Sequence, residues 1–282
     1  MDGCIMSHKT KKWLGNIGYY AISVSIAIIV MIPFFWMIST SLKSKGALMA
    51  LPVQWIPKEP TLDSYVQVFK RFPFLRAVGN SLFITISYTV VTLFSASMAA
   101  FAFTKIKFPF GNGLFKVYLA SMMIPTQVTL IPLFIIMDHL KLIDSYASVI
   151  SPSLFKAFGI FLLVQNMRSI PNDFIEAARI DGAGLWYIYR RIMLPLSSPA
   201  ILTLSITTFM DSWNDYLWPL VMLTDKNKMT ITLALNSLNG QYATEYNILM
   251  AGSLISMIPI ILVYIGANSR MKTGIMVGGV KG

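Results

Sequence analysis

The sequence predicts an all-α integral membrane protein in which six transmembrane helices carry a charged, helical loop between the fourth and the fifth. Two observations lead to this prediction. The chain is 55% hydrophobic and only 12% charged, with a mean hydropathy of +0.64, so its composition is not that of an average soluble domain. Four stretches of 21 to 30 residues also lack any Asp, Glu, Lys or Arg, and about 20 apolar residues suffice for a helix to cross a bilayer.

Each predicted span follows from one apolar stretch. The four uncharged stretches supply four spans, and two further stretches qualify although one contains Lys156 and the other contains Asp211 and Asp215. The predicted spans cover residues 15–42, 80–103, 114–137, 145–167, 199–220 and 246–267. Because the chain has no internal repeat and no low-complexity linker, residues 1–282 are expected to form a single transmembrane domain.

Prolines inside the spans indicate bends. Span three contains Pro125 and Pro132, and a proline in a membrane helix leaves backbone carbonyls that neighbours or water must satisfy. Two interpretations stay open, an ordinary kinked helix and a bend that lines a polar pathway. In span two, several small residues favour close contact with other helices, namely Ser87, Ser95, Ala96, Ser97, Ala99 and Ala100.

The net charge of +11 is distributed as membrane topology requires, rather than as a nucleic-acid surface requires. Ten Lys and Arg residues fall in segments 105–116, 168–197 and 269–282, and only three fall in segments 138–145 and 221–246. Because basic residues concentrate in cytoplasmic loops, the first group and both chain termini are predicted to be cytoplasmic. Segment 43–78 then lies outside despite six basic residues, an exception accepted because the rule weakens for longer segments.

The loop between spans four and five, residues 168–197, has the sequence of a helix–turn–helix. Ser169 or Asn172 can cap the first helix. Gly182 is expected to end that helix, since glycine adopts the left-handed conformation that terminates helices, and a second helix is expected to end at Pro195.

The same loop carries a specific motif. Its specified residues are Glu176, Ala177, Ala178, Gly182, Ile192, Leu194 and Pro195. At this spacing they resemble the signature of the permease family of binding-protein-dependent ABC importers, which reads E-A-A, three residues, G, nine residues, I-x-L-P. Seven specified positions arise by chance at roughly 10⁻⁸ per window.

Later segments narrow the resemblance. They are Trp213 to Tyr216, Pro219-Leu220, Thr230 to Leu233, Met250-Ala251, Pro259 and the terminal Gly279 to Gly282. Together they resemble the six-span permease subunit of carbohydrate importers of the maltose type. The likeness covers most of the chain and is densest from about residue 145 onward.

This resemblance implies a transport subunit rather than an enzyme. The first helix of the loop would be a coupling helix, seated in a groove of a cytoplasmic ATPase subunit. The residues implied in coupling are Glu176, Ala177, Ala178, Asp181, Gly182, Ile192, Leu194 and Pro195. The C-terminal tail would reach the interface of the ATPase dimer through Gly278, Gly279, Val280, Lys281 and Gly282.

The resemblance also implies a set of partners in the cell membrane of a prokaryote. They are a second permease subunit that forms a heterodimer with this chain, two cytoplasmic ATPase subunits, and an extracytoplasmic binding protein that delivers a di- or oligosaccharide or related glycoside. ATP and magnesium would bind the ATPase subunits. The chain has no Walker-type glycine-rich motif, so no cofactor and no metal is expected in it.

The charges inside the predicted spans are costly, at about 2.5–3.5 kcal/mol for each at a helix centre. If span four descends while span five ascends, Lys156 and Asp211 reach similar depth and could form an ion pair. Alternatively, these residues line a substrate cavity together with Trp213 and Asn214, in which Asp211 or Asn214 hydrogen-bonds sugar hydroxyls and Trp213 stacks on a sugar ring. Asp215, near the outer boundary, could simply be solvated.

Two other functions agree less well with the sequence. An ion-coupled secondary transporter could use Lys156, Asp211 and Asp215 as a relay, but that function leaves the loop motif unexplained. A membrane enzyme fits least well, because the chain contains only two histidines, His8 and His139, and neither metal-spaced ligands nor a nucleophile elbow.

Overall fold

The computed structural model describes residues 8–238 and 245–277, and the regular secondary structure in these ranges is entirely helical. The helices are α1 (His8–Ser41), α2 (Asp63–Arg71), α3 (Phe74–Lys105), α4 (Gly111–Ser121), α5 (Thr126–His139), α6 (Tyr146–Ile150), α7 (Ala157–Arg168), α8 (Asp173–Ile180), α9 (Leu185–Ile188), α10 (Leu194–Leu196), α11 (Ser198–Asn214), α12 (Leu217–Met222), α13 (Ile231–Ser237) and α14 (Tyr246–Val277). Short 3₁₀ segments cover Lys45–Met49 and Ser151–Phe155, and a π-helical turn covers Tyr189–Met193. The predicted all-α class is therefore confirmed for the described residues.

Four helical segments are long and apolar enough to cross a membrane: Gly18–Ser41, Phe74–Lys105, Tyr146–Arg168 and Tyr246–Gly266. Two bent pairs raise this number to six if each pair is a single span. One pair joins α4 and α5 at an angle of 107°, and the other joins Leu185–Leu196 to α11 at 76°. Between four and six spans thus agree with the helix lengths, and the number six stays a prediction.

The predicted third and fourth spans are both interrupted. Between α4 and α5 the chain leaves the helical conformation at Pro125, which has an extended ψ of 135°, whereas Pro132 remains inside α5. The fourth span breaks at Lys156, with a ψ of 98°, between the 3₁₀ segment and α7. Proline and non-helical backbone leave main-chain groups unpaired, which within a membrane requires protein or water as a partner.

The described chain divides into two compact units. The smaller unit contains residues 1–71 and 238–255, and the larger contains residues 72–237 and 256–282. In the smaller unit, Glu245 accepts an ion pair from Lys45 at 2.6 Å and from Arg71 at 2.5 Å. These pairs tie the start of α14 to the segment around α2.

The core of the larger unit forms where α3 packs against α7 and α11. The same apolar cluster takes in side chains from the 168–197 loop, and we call it the main core. Its members with no exposed area are Ala100, Leu163, Val164, Met167, Ile188, Met193 and Leu204. The small residues predicted to favour contact along α3 contribute Ala96, Ser97 and Ala100 as buried side chains.

Close backbone approach in the main core depends on Gly159 of α7. A Cβ atom at this position would lie 3.3 Å from the Cβ of Ala96 and 3.3 Å from a Cδ of Leu204. Ala96 has no rotamer with which to move away, and Leu204 is fully buried. The absence of a side chain therefore permits α7 to lie against both α3 and α11.

A carboxylate organises the loop that follows α12, residues 223–230. Asp144 accepts hydrogen bonds from the backbone N–H groups of Thr224 and Asp225, each at 3.0 Å. Its second oxygen accepts a hydrogen bond from the Lys228 ammonium at 2.7 Å. These hydrogen bonds lower the pKa of Asp144 to about 2, and the bond from the Asp225 amide contributes most, followed by the bond from Lys228.

We expect Gly159→Ala to destabilise the protein by about 1–3 kcal/mol, because the added methyl group overpacks a site whose neighbours cannot move. Gly113 is the matched control, since it is also the third residue of its helix and a Cβ there meets nothing within 4 Å. Gly113→Ala should have the small benefit of better helix propensity. The midpoint of thermal unfolding in detergent measures the stability of both variants. Equal midpoints would contradict the packing argument.

The Asp144 carboxylate should make the 223–230 loop sensitive to acid. Because its pKa is depressed, its stabilising contribution is complete above the ordinary value of 3.8 and is lost as the pH falls from there through about 2. Pepsin cleavage within the loop should therefore accelerate between pH 4 and pH 2, and Asp144→Asn should remove most of this dependence. Asp138→Asn, which alters an exposed carboxylate nearby, should behave like the unmodified protein. An unchanged pH profile in Asp144→Asn would refute the assignment.

Candidate functional site

The first helix of the 168–197 loop, α8, is attached at its start to the end of α3. The Lys105 ammonium donates hydrogen bonds to the carbonyl oxygen of Ile170 at 2.8 Å and to Oδ1 of Asn172 at 2.9 Å. Asn172 is the N-cap residue, as the sequence allowed, but its side chain makes no capping hydrogen bond. Its side-chain oxygen instead accepts the hydrogen bond from Lys105.

The end of α8 is fixed by a glycine turn. Gly182 has a φ of +79°, the left-handed conformation that glycine adopts without steric cost. The N–H of Gly182 donates to the carbonyl oxygen of Arg179 at 3.0 Å, and the N–H of Ala183 donates to that of Ala178 at 2.9 Å. This pair of bonds is a Schellman motif. The prediction that Gly182 ends the helix is confirmed.

The second half of the loop is more continuous than the sequence suggested. Helix α9 passes directly into the π-helical turn Tyr189–Met193 and then into α10. The N–H of Leu194 donates to the carbonyl oxygen of Tyr189, five residues earlier. The expected stop at Pro195 was wrong by one residue, since α10 continues to Leu196. Because the helix is continuous from Leu185 to Leu196, Pro195 lies in its last turn and removes one backbone donor there.

The motif residues divide between the protein surface and the main core. Those at the surface are Glu176, Ala177, Asp181, Gly182 and Pro195. Ala178 is buried, and Ile192 and Leu194 pack partly buried against the main core. Ala177, Ala178, Asp181 and Gly182 line one open cleft of about 560 Å³, together with Phe174 and Ile192. The motif therefore combines a surface that a partner can reach with residues that hold this surface in place.

The Glu176 carboxylate has neither an ion-pair nor a hydrogen-bond partner among the described residues. It lines a second cleft, of about 470 Å³, on the other side of α8. Lys105, Lys107 and Arg179 also line that cleft. An exposed, unpaired carboxylate on a fixed helix can accept a cation or an N–H group from another molecule.

Lys156 and Asp211 meet, as one of the two interpretations of these charges predicts. The Lys156 ammonium lies 2.8 Å from Oδ2 of Asp211 and 5.7 Å from the centre of the Tyr88 ring. The exposed fractions of the two side chains differ, at 17% for Lys156 and 63% for Asp211. The ion pair is confirmed, and the exposed carboxylate retains surface that another molecule can contact.

The neighbouring candidates occupy different surroundings. Trp213 is buried, its ring stacks on Phe209 with centroids 5.9 Å apart, and its N–H donates to the carbonyl oxygen of Ser256 at 3.1 Å. In this conformation its ring face is therefore occupied by protein. Asn214 is exposed and donates within its own helix to the carbonyl oxygen of Met210 at 2.9 Å. Asp215 accepts a hydrogen bond from the N–H of Trp218 at 3.3 Å.

Two further predictions concern the C-terminal tail and metal binding. The tail Gly278, Gly279, Val280, Lys281 and Gly282 lies outside the described residues. Within the described ranges, no group of three or more His, Cys, Asp or Glu side chains could hold a metal ion.

Sequence reasoning missed several residues that position this site. Lys105 was counted only as an inner-loop charge, although it fixes the start of α8. Gly159 and Tyr189 were not singled out, and Ser97 was noted only for its size. Position 189 falls among the nine unspecified residues of the motif, so the motif gave no signal for it.

Comparison with known proteins agrees with this geometry. Residues 92–272 match the family model of the binding-protein-dependent transport system inner membrane component. The chain is 33% identical to the putative ABC transporter permease protein ORF2 of Caldicellulosiruptor sp. (strain Rt8B.4), over 97% of this chain and 98% of that protein. It is also 33% identical to the arabinooligosaccharides transport system permease protein AraQ of Halalkalibacterium halodurans, over 98% of this chain and 100% of the relative.

A solved structure shares the fold. It belongs to a bacterial ABC transporter involved in the import of the acidic polysaccharide alginate, with a TM-score of 0.82 and 23% identity, over 94% of this chain and 98% of that chain. The resemblance to permease subunits is thus confirmed, and nothing in the comparisons supports an ion-coupled secondary transporter. Because the family match covers well over half of its length, the chain belongs to the family of inner membrane components of binding-protein-dependent transport systems.

Proposed function

We propose that this chain is a transmembrane subunit of an ABC importer that takes up a sugar, either a di- or oligosaccharide or a related glycoside. The observation that carries the proposal is the exposed, unpaired Glu176 on a helix whose ends are fixed by Lys105 and Gly182. The names of relatives support the sugar class, since one is a permease for arabinooligosaccharides and a fold neighbour belongs to an importer of alginate.

The proposed topology has six spans, at residues 15–42, 80–103, 114–137, 145–167, 199–220 and 246–267. The bias of basic residues supports cytoplasmic termini and a cytoplasmic 168–197 loop, in the cell membrane of a prokaryote. The extracytoplasmic side then carries the 223–230 loop that Asp144 organises, where a sugar-loaded binding protein would arrive. All 282 residues would act as one transmembrane domain.

Coupling would pass through α8. This helix would seat in a groove of a cytoplasmic ATPase subunit, with Glu176 paired to a basic group of that subunit. Ala177 and Gly182 would permit close approach, because neither carries a side chain larger than a methyl group. A second, different permease subunit and two ATPase subunits would complete the complex, ATP and magnesium would bind the ATPase subunits, and the tail Gly278–Gly282 would reach the interface between them.

The substrate cavity would lie beside the Lys156–Asp211 pair. Pairing reduces the cost of two charges within the membrane, and the exposed part of Asp211 still offers acceptors to sugar hydroxyls. Asn214, one helical turn from Met210, adds a second exposed polar group. Trp213 would have to leave the Phe209 ring before it could stack on a sugar, so any contact with it requires a conformational change.

Reconstitution tests the proposal. Vesicles that contain the complete complex should take up labelled arabino-oligosaccharides when binding protein and ATP are supplied, and vesicles with this chain alone should show no gradient-driven uptake. Glu176→Gln should weaken association with the ATPase subunit by about tenfold or more, because it removes a charge that is buried at the docked interface. Uptake should fall accordingly while membrane insertion is unchanged.

Asp173→Asn is the matched control for Glu176→Gln, since it removes a carboxylate from the same helix outside the motif. It should bind the ATPase subunit about as tightly as the unmodified chain. Unaltered association and uptake in Glu176→Gln would argue against the coupling role, and gradient-driven uptake by the chain alone would argue for a secondary transporter.

The ion pair is tested by a double-variant comparison. Asp211→Asn should destabilise the protein by about 1–3 kcal/mol, because it leaves the Lys156 charge without its partner. Adding Lys156→Gln should recover most of this loss, as measured by thermal unfolding in detergent. If Asp211 also contacts sugar, uptake by the double variant should stay low despite the recovered stability. A double variant no more stable than Asp211→Asn alone would exclude a stabilising pair.

A further inference from the structure

A buried hydrogen bond joins the 168–197 loop to the last third of α3. The Tyr189 hydroxyl lies 2.8 Å from Oγ of Ser97, and both residues are almost completely buried, with exposed fractions of 4% and 3%. The two residues are 92 positions apart in the chain. A polar contact between distant segments inside an apolar core is specific, because each group is costly to bury without the other.

The direction of this hydrogen bond follows from the number of protons. The Ser97 hydroxyl carries one proton and lies 3.1 Å from the carbonyl oxygen of Phe94, one turn earlier in α3. Both hydroxyl protons find an acceptor in this arrangement only if Ser97 donates to that carbonyl and Tyr189 donates to Ser97. Tyr189→Phe therefore removes the donor of the bond that joins the loop to α3, and it keeps the ring.

This hydrogen bond is a polar contact in surroundings that are otherwise apolar. The Tyr189 ring packs on Phe101, with centroids 5.5 Å apart, and on Trp186, with centroids 5.3 Å apart. The hydrogen bond restricts the register of the two segments more narrowly than apolar contacts do, because a shift of either partner leaves a buried polar group unpaired. Tyr189 also begins the π-helical turn, and such turns within helices frequently occur at functional sites.

We propose that the Tyr189–Ser97 hydrogen bond transmits the movement of the coupling loop to α3, which makes both of them positioning residues for transport. The inference rests on the proposed function, because it takes ATP binding as the source of the movement. Motion of α8 passes through the main core, which Ile175 and Ala178 share with Tyr189, and the hydrogen bond makes α3 follow rather than slip.

Transport and ATP hydrolysis are compared in the complete complex in vesicles, with labelled arabino-oligosaccharides as the probe. Tyr189→Phe should lower uptake by about fivefold or more while ATP hydrolysis stays within about twofold, so more ATP is consumed for each sugar. Ser97→Ala should have a similar effect, and the two together should be no worse than the stronger single variant. Tyr118→Phe is the matched control, since Tyr118 packs on the main core and its hydroxyl has no partner among the described residues. Sugar uptake and ATP hydrolysis in Tyr118→Phe should match those of the unmodified complex.

A second measurement follows the movement of α3 and requires no sugar. A nitroxide label at exposed Val90, in a Cys4→Ser background, should change its spectrum when ATP binds, and Tyr189→Phe should abolish that change. A label that responds equally in Tyr189→Phe overturns the inference, and so does an unmodified complex in which ATP leaves the label unaffected. Parallel loss of ATP hydrolysis, uptake and thermal stability in Tyr189→Phe also overturns it, because that pattern belongs to a merely structural residue.

The two proposals fail in different ways. If ATP alters the Val90 label, and Tyr189→Phe removes that response, while no vesicle takes up arabino-oligosaccharides, then the proposed sugar class is wrong and the transmission through Tyr189 stands. If the unmodified complex takes up sugar with ATP and Tyr189→Phe does so with the same uptake per ATP, the transmission is wrong and the proposed function stands.

Discussion

The 168–197 loop holds its shape because its apolar side chains are buried in the same core as those of α3, α7 and α11. Ile175, Ala178, Ile188 and Met193 come from the loop, and they meet residues such as Leu163 and Leu204 of the long helices. A loop held only by its two ends would move independently of the helices it joins. Because this loop has buried side chains of its own, a force on its surface reaches the interior.

That constraint separates two kinds of residue within a short stretch of sequence. The residues that a partner can reach are small or charged, and they are exposed, as Glu176 and Ala177 are. The residues that anchor the loop are larger and apolar, as Ile192 and Leu194 are. One motif can therefore be recognised from sequence although its positions serve different purposes.

Much of the fold and part of the candidate site could be predicted from the sequence. These are the features that a single physical rule determines. The helical class follows from long uncharged stretches, the end of α8 follows from the conformational freedom of Gly182, and the Lys156–Asp211 pair follows from the cost of unpaired charges in a membrane. The first two predictions depend only on the local sequence, whereas the ion pair is one of two interpretations that the charges allow.

The remaining features depend on contacts between distant segments, which a single sequence does not reveal. Asn172 has the composition of a capping residue, yet Lys105, 67 positions away, takes its side-chain oxygen. The break before Pro125 was foreseen only as a bend, because whether a proline kinks a helix or ends it depends on its neighbours. The contact of the Tyr189 ring with Phe101, 88 positions earlier, likewise has no signal in the local sequence.

The missing side chain at Gly159 has a mechanical consequence. On the α3 side the atom nearest to Gly159 is the Cβ of Ala96, which has no rotamer to change when one helix is pushed, and on the α11 side it is the side chain of the fully buried Leu204. The contact between α7 and α3 is consequently stiff, and these two helices should tilt together, with Gly159 close to their point of contact. A bulkier residue there would separate the helices and make their contact less rigid before it prevented folding.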